Sequence, residues 1–143
     1  MRVAIGCDHA GYDLKEYLKS YLEGLGHEWD DKGTNGPEST DYPEYAHAVA
    51  DAVAGGDASK GIVICGSGNG VAMSANKHGG IRCALCWTPE IAELARQHND
   101  ANVLAIPARF VTRNEAAAMV KTFLNTDFEG GRHQRRVEKI ARS

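Results

Sequence analysis

Apolar runs rich in β-branched residues alternate along the chain with segments whose apolar residues recur at helical spacing. The runs predict buried strands at four places and a weaker edge strand at a fifth: residues 3–6, 61–65, 81–86 and 102–106, with the edge strand at 27–31. Helices are predicted between them, over residues 14–25, 46–53, 69–78, 89–98 and 112–124. This alternation predicts an α/β fold in which helices cover both faces of a parallel sheet. A ligand of such a sheet binds at the carboxyl ends of the strands.

Composition places the chain among ordinary globular domains. Its 143 residues are 43% hydrophobic and 24% charged, with a formal charge of −3, so we expect one domain over residues 1–143 that includes a C-terminal helix from about residue 131. No apolar stretch approaches the roughly 20 residues of a membrane span, and no signal peptide precedes the first strand. We therefore expect a cytoplasmic protein without a membrane partner. The charge balance gives no reason to expect a nucleic-acid partner.

The segment with the clearest chemistry follows the predicted strand at 61–65. Cys65 leads there into three alternating glycines, Gly66, Gly68 and Gly70. Backbone N–H groups of a glycine loop can converge on one point, and the helix that follows adds positive partial charge. Such a field favours the thiolate form of a cysteine. The pattern therefore predicts a thiolate that accepts a proton while the amides hold the negative oxygen that results.

Three familiar functions of glycine loops are disfavoured by the residues around this loop. A Walker loop requires Gly-Lys-Ser/Thr, and no such triplet follows Gly70. A dinucleotide-binding loop requires a third glycine where Val71 stands, and no acidic residue follows the next strand. A cysteine phosphatase requires an arginine six positions after the cysteine, which is again Val71.

Asp8 and His9 follow the first predicted strand, so they should emerge at the same edge of the sheet as Cys65. Alone, Asp8 would be interpreted as a helix cap and His9 as a surface side chain. The presence of Cys65 at this edge favours a shared cleft. Cys83 and Cys86 have CxxC spacing, but side chains three apart in a strand point to opposite faces. We therefore expect no zinc site, and no other cofactor, because no His/Asp/Glu cluster has metal-ligand spacing.

Arginines begin the predicted C-terminal helix, at the end where cations are unfavourable. Each costs roughly 0.3–1 kcal/mol against the helix dipole unless an anion lies between them. Arg132 and Arg136 are four residues apart, so they share a face and could bind one phosphate. A solvated basic tail is the alternative. Arg109, just beyond the last strand, is a further candidate for the phosphate.

Seven short motifs are distributed along nearly the whole chain. They are Gly-Cys-Asp-His-Ala-Gly (6–11), Asp-Lys-Gly-Thr (31–34), Thr-Asp-Tyr-Pro (40–43), Cys-Gly-Ser-Gly-Asn-Gly (65–70), Ala-Asn-Lys (75–77), Arg-Gln-His-Asn-Asp (96–100) and Gly-Gly-Arg-His (130–133). Together they closely resemble the type B ribose-5-phosphate isomerases, in the group that also contains allose-6-phosphate and galactose-6-phosphate isomerases. The resemblance implies a Rossmann-like αβα sandwich of three layers, with five parallel strands in the order 2-1-3-5-4.

The resemblance also implies a reaction, the interconversion of ribose 5-phosphate and ribulose 5-phosphate through a cis-enediolate. Cys65 matches the base that moves a proton between C1 and C2, and Ser67, which replaces a frequent threonine, helps to orient the reacting oxygens. His98 matches the acid that opens the furanose ring. Some relatives use a glutamate after the glycine loop as the base, but Val71 stands there in this chain. An isomerase of a six-carbon 6-phosphate and a non-catalytic phosphosugar sensor remain alternatives.

The other residues that the resemblance implicates contact the substrate. The loop amides would hold the enediolate, and they belong to Gly66, Ser67, Gly68, Asn69 and Gly70. Side chains from three regions would surround the sugar, namely Asp8 and His9, Tyr42, and Asn99. The phosphate would be bound by Arg109, Arg132 and Arg136.

His98 cannot easily reach Cys65 within one chain. It ends a helix that runs back from the carboxyl edge of the sheet, and about ten helical residues span about 15 Å. Because the resemblance requires both residues at one substrate, we expect a C2 homodimer with shared sites, possibly paired into a dimer of dimers. The neighbouring subunit would then supply His98 and Asn99.

Overall fold

The computed structural model describes residues 1–142 and contains one sheet of five parallel strands. In chain order they are β1 (Arg2–Cys7), β2 (Glu28–Asp31), β3 (Lys60–Cys65), β4 (Cys83–Leu85) and β5 (Val103–Pro107). Their order across the sheet is β2-β1-β3-β5-β4, with every neighbouring pair parallel. This confirms the fold class and the strand order that the family resemblance implied.

Residues 1–142 also contain six helices, and a short 3-10 turn at His9–Gly11 follows the first strand. The helices are α1 (Tyr12–Gly24), α2 (Tyr42–Ala54), α3 (Asn69–Ala75), α4 (Pro89–Asn99), α5 (Arg113–Asn125) and α6 (Arg132–Glu138). Within residues 1–142, none of these helices combines the length and the apolar character that crossing a bilayer requires.

Two predicted elements are shorter than the apolar pattern suggested. The strand predicted over 81–86 is reduced to Cys83–Leu85, and the helix predicted over 69–78 ends at Ala75. The Asn76 side chain lies where the helix ends and the strand begins: its amide oxygen accepts from the backbone N–H of Cys83, and its amide nitrogen donates to the carbonyl of Cys83. These two bonds join the residue after the helix to the first residue of the strand. Apolar periodicity does not reveal a side chain that replaces backbone pairing.

The sheet separates two apolar layers, because successive side chains of a strand point to opposite faces. Ile62 and Ile64 of β3 pack with the cluster under α1, α4 and α5, which includes Leu18 and Phe123. Val63 and Cys65 instead pack with the cluster under α2 and α3. The period of the strand thus places the Cys65 side chain on the α2–α3 side of the sheet.

Candidate active site

The loop after β3 is held close to its neighbours, and glycines make this possible. Gly68 has φ 76°, in the left-handed region that favours glycine, and a Cβ there would overlap Leu85. A Cβ on Gly70 would overlap the ring of Tyr42, at the start of α2. The Arg109 backbone N–H donates to the Gly66 carbonyl at 3.0 Å, so the segment after β5 is tied to this loop. Three regions distant in sequence therefore meet at the carboxyl ends of the central strands.

These three regions border an open cleft with a volume of about 430 Å³. The cleft is lined by seven of the residues selected from the sequence and by one that the sequence did not indicate: Asp8, Tyr42, Cys65, Gly66, Ser67, Gly70 and Arg109, with Phe110 as the addition. Phe110 is 74% exposed although it is large and apolar. In the sequence, the available signal was that Phe110 directly follows Arg109, a candidate phosphate ligand. An apolar residue at such a position does not by itself indicate a site.

Cys65 is set apart from the other cysteines by its surroundings. Cys65 is 4% exposed and lines the cleft, so a ligand in the cleft would contact it without a change of fold. Burial raises the pKa of Cys7 to about 12 and that of Cys86 to about 12. Burial also raises the pKa of Cys83 strongly. These three thiols are therefore protonated at neutral pH and unsuited to act as bases.

The remaining loop and first-strand residues are partly engaged by local hydrogen bonds. The Asp8 carboxylate accepts from the Ala10 backbone N–H at 3.0 Å, so it caps the 3-10 turn and also lines the cleft. Nδ1 of His9 accepts from the Thr40 backbone N–H at 3.2 Å, which holds the 40–43 segment beside the first strand. The Asn69 backbone N–H donates to the Ser67 hydroxyl at 3.3 Å. His9, Gly68 and Asn69 were also selected from the sequence, but they are not among the described residues that line the Cys65 cleft.

His98, Asn99, Arg132 and Arg136 lie elsewhere in the chain, where the end of α4 packs against α6. None of them is among the described residues lining the Cys65 cleft. The structure therefore divides the candidate residues into two groups, one around the glycine loop and one on α4 and α6. The described chain does not bring the second group into the Cys65 cleft.

Two further polar residues lie beside the group on α4 and α6, namely Glu129 in the segment before α6 and His133 on α6, and the sequence analysis gave neither of them a role. The His98 and His133 rings are stacked, with centroids 4.3 Å apart and planes 15° from parallel. Oε1 of Glu129 lies 3.5 Å from Nε2 of His133 and 3.8 Å from Nε2 of His98. Burial and the nearby His98 lower the pKa of His133. Glu129 and His133 are four residues apart, and two contacts bring them beside His98: the Glu129 backbone N–H donates to the Gln97 carbonyl at 3.1 Å, and α6 packs on α4.

Comparisons with known proteins agree with this architecture. The family described as Ribose/Galactose Isomerase matches residues 3–140. Ribose-5-phosphate isomerase B of Escherichia coli strain K12 is 50% identical over 139 residues, which cover 97% of this chain and 93% of that protein. A solved structure of ribose-5-phosphate isomerase B from Clostridium thermocellum has a TM-score of 0.97 at 47% identity, covering 98% of this chain and 95% of that one.

A second solved structure contains a ligand. It is ribose-5-phosphate isomerase B of Mycoplasma genitalium with bound ribulose 5-phosphate, with a TM-score of 0.93 at 45% identity, covering 97% of this chain and 93% of that one. Sequence similarity and fold similarity therefore extend over nearly the full chain and lead to the same group of proteins. The chain belongs to the ribose/galactose isomerase family.

Proposed function

We propose that this protein interconverts ribose 5-phosphate and ribulose 5-phosphate. The observation that carries the proposal is the cleft itself, which a buried thiol, a glycine loop and an arginine line together, in a chain 50% identical to a ribose-5-phosphate isomerase B. The thiol suits a base, the loop amides suit a developing oxyanion, and the arginine suits a phosphate.

Cys65 is the base of the proposed reaction. Its thiolate takes the proton from C2 of open-chain ribose 5-phosphate, and the electron pair moves through the new C1–C2 double bond to O1. The proton of the O2 hydroxyl passes to O1, Cys65 returns its proton to C1, and O2 becomes the ketone oxygen of ribulose 5-phosphate. C1 and C2 present their protons to the same face of a cis-enediolate, so one base serves both carbons.

The glycine loop stabilises the charge that this reaction develops. Backbone amides of residues 66–70 are assigned to O1 and O2, and the Ser67 hydroxyl is assigned to their orientation. One well-placed donor to such an oxygen contributes roughly 2.7–4 kcal/mol to the transition state. Asp8 and Tyr42 line the same cleft and are assigned to the sugar hydroxyls, together with His9.

Ring opening and most of the phosphate binding are assigned to a second subunit. His98 opens the furanose, Asn99 contacts the sugar, and Arg132 and Arg136 bind the phosphate together with Arg109 of the first subunit. The clustering of these partner groups at the end of α4 and on α6 supports this, because one neighbouring chain would deliver all of them at once. Trp87 and Phe110 are exposed apolar residues beside the glycine loop, which is consistent with a partner there.

An assay with three substrates tests the proposal. After treatment with a chelator, we expect turnover of ribose 5-phosphate and a kcat/KM for ribose 5-phosphate above those for allose 6-phosphate and galactose 6-phosphate. A higher kcat/KM for a six-carbon sugar would reassign the substrate within the same chemistry. Tight binding of ribose 5-phosphate without any turnover would contradict an isomerase and support a phosphosugar sensor.

A further inference from the structure

Asn76 directly follows α3, and its side chain lies against β4, an outermost strand of the sheet. The carbonyl of Arg82, one residue before β4, accepts from the backbone N–H of Val103 on β5. Successive peptide groups of a strand point to opposite sides, so the N–H and the carbonyl of Cys83 face away from β5. They lie on the open edge of the sheet, where no further strand is present in the described chain.

The Asn76 side-chain amide bonds to both of these outward groups. Its oxygen accepts from the Cys83 N–H at 2.8 Å, and its nitrogen donates to the Cys83 carbonyl at 2.9 Å. Both distances are within the usual range of about 2.7–3.2 Å for such bonds. One side chain thus makes the pair of bonds that a neighbouring strand would make there. It attaches the end of α3 to a defined position along β4.

The same strand contacts the other end of α3. Gly68 is the residue before α3, and a Cβ there would overlap Leu85 of β4, so Leu85 lies directly against the glycine loop. The seven residues of α3 span about 10 Å, and backbone hydrogen bonds hold so short a helix as one body. β4 therefore supports α3 at both ends, and a displacement at Asn76 would move the loop as well.

We propose that Asn76 is a positioning residue for the glycine loop, and that its two bonds to Cys83 set where the loop amides lie relative to Cys65. Cys65 ends β3, whereas the amides of residues 66–70 belong to the segment that leads into α3. The distance between the base and the oxyanion donors therefore depends on how α3 is attached to the sheet. Asn76 is not among the described residues lining the Cys65 cleft, so it acts through the loop. The consequence for catalysis rests on the function proposed above.

Asn102 provides a matched control in the same part of the fold. Its side-chain oxygen accepts from the Arg82 N–H at 2.8 Å, and its nitrogen donates to the Gly80 carbonyl at 2.8 Å. Asn102→Ala therefore removes the same side chain and the same number of hydrogen bonds as Asn76→Ala. The bonds of Asn102 join the segment before β4 to the residue before β5, and they do not involve α3.

Kinetics with ribulose 5-phosphate should separate the two variants. This open-chain ketose needs no ring opening, so its conversion reports the proton transfer at Cys65. Asn76→Ala should lower kcat by about 10–100-fold, because a misplacement of about 1 Å can cost about 100-fold in rate. Asn102→Ala should retain the wild-type kcat. An unchanged kcat in Asn76→Ala overturns the proposal, and so does an equal loss in both variants.

Inhibitor binding shows whether the loss lies in the oxyanion donors. A four-carbon phosphohydroxamate imitates the cis-enediolate, whereas inorganic phosphate contacts only the phosphate ligands. In Asn76→Ala, the affinity for the hydroxamate should fall by the same factor as kcat/KM, and the affinity for inorganic phosphate should be retained. Equal weakening of both inhibitors would show a general loosening of the protein and overturn the positioning role.

A second substitution covers the case in which Asn76→Ala does not fold. Asn76 is exposed, so we expect both variants to give the wild-type circular dichroism spectrum. Asn76→Asp keeps the oxygen that accepts from Cys83 and loses only the donor, and it should lower kcat in the same direction. A wild-type kcat in Asn76→Asp would show that the bond to the Cys83 carbonyl does not position the loop.

The position of the loop can also be observed without turnover. In ¹⁵N-labelled protein, the amide resonances of Gly66, Gly68 and Gly70 should shift in Asn76→Ala and stay in place in Asn102→Ala. Unshifted resonances in Asn76→Ala overturn the proposal. A wild type that does not convert ribulose 5-phosphate would instead contradict the proposed function, while the amide spectra still report whether Asn76 positions the loop.

Discussion

The four cysteines of this chain have the same side chain but different chemistry, because of where each one lies. All are free thiols in the described chain. Cys7 and Cys86 are fully buried, and burial raises the pKa of each to about 12. Cys65 ends a central strand at the base of a solvent-accessible cleft. A reagent or a substrate should therefore distinguish Cys65 from the others.

Cys65→Ala should abolish most isomerase activity and leave the fold intact. Loss of a general base typically costs about 10²–10⁴-fold in rate, and removal of one sulfur atom beside an open cleft disturbs little packing. Turnover of ribose 5-phosphate measures the first effect, and circular dichroism measures the second. Near-normal turnover would contradict the assignment of Cys65 as the base.

Alkylation provides the companion measurement. At pH 8, iodoacetamide should label the wild type at one cysteine and inactivate it, and ribose 5-phosphate should protect it. Cys83→Ala is the matched control and should still take up one label per chain. Labelling of the Cys65→Ala variant at wild-type rates would show that another thiol is the reactive one.

At the scale of elements, a buried ion pair attaches α1 to the edge strand β2. Lys15 is fully buried, and its ammonium donates to both carboxylate oxygens of Asp31, at 2.7 and 2.6 Å. Burial by itself would raise the pKa of Asp31, but hydrogen bonds from Lys15 and Lys19 hold it below its usual value. The neighbouring pair of Lys32 with Asp30 is more exposed. The two aspartates therefore offer a direct comparison of a buried pair with a surface pair.

Asp31→Asn should lower the free energy of unfolding by up to roughly 3 kcal/mol, the low end for a broken buried pair, because it leaves the buried Lys15 with only the more exposed Glu16, at 3.2 Å, as a counter-charge. Asp30→Asn, the control, should cost about 1 kcal/mol or less. The stabilisation by Asp31 is present above its unfolded pKa of about 3.9 and is lost as the pH falls through the lower folded value. Urea unfolding at neutral pH and in acid should therefore show the wild type losing its advantage over Asp31→Asn only in acid.

The end of α4 is a second element held by charge, and it carries His98 and Asn99. Asp100 ends the helix with φ 47°, and its carboxylate contacts the buried Arg96 at 2.8 Å and Arg82 at 3.3 Å. Arg96 also donates to the carbonyls of Ala101 and Thr126. The position therefore combines an unfavourable backbone conformation with a compensating set of polar contacts.

Two substitutions at this position separate the backbone from the charge. Asp100→Ala and Asp100→Gly both remove the carboxylate, but only glycine adopts a positive φ without steric cost. Asp100→Gly should therefore be more stable than Asp100→Ala by about 1 kcal/mol in urea unfolding. Equal stability of the two variants would show that the helix end relaxes to another conformation once the carboxylate is lost.

At the scale of the whole molecule, the proposed site needs two chains. The cleft holds the base and Arg109, whereas the proposed acid and two further arginines lie at the end of α4 and on α6. A C2 dimer places each group of one chain opposite the complementary group of the other, so it would complete two sites at once.

Mixed dimers test this arrangement. Cys65→Ala and His98→Ala should each be inactive on ribose 5-phosphate, and refolding them together should restore activity. In a mixed dimer, one interface site carries both substitutions and the other carries neither. Two copies of the same variant refolded alone provide the control. If mixed dimers form, as mass spectrometry of differently tagged chains can show, and remain inactive, the shared-site arrangement is wrong.

Periodicity and local chemistry in the sequence were sufficient for the alternation of strands and helices and for the glycine loop. The strand at 61–65 was predicted because its residues are apolar without interruption, and Cys65 was selected because glycines follow it directly. The strand order came from the family resemblance. The end of α3 and the start of β4 escaped prediction, and there the Asn76 side chain bonds to the Cys83 backbone, a contact that periodicity does not reveal.

What only the tertiary structure decided is which distant residues meet. Phe110 joins the cleft because the segment after β5 is tied to the glycine loop. Glu129 reaches His98 because its backbone N–H bonds to the Gln97 carbonyl, and His133 reaches it because α6 packs on α4. Each of these residues is unremarkable in its own segment. Local sequence reports the conformation of a few neighbouring residues through sterics and hydrogen bonds. Contacts between distant segments depend instead on how whole elements pack, and that packing is decided by the buried surfaces of the complete fold.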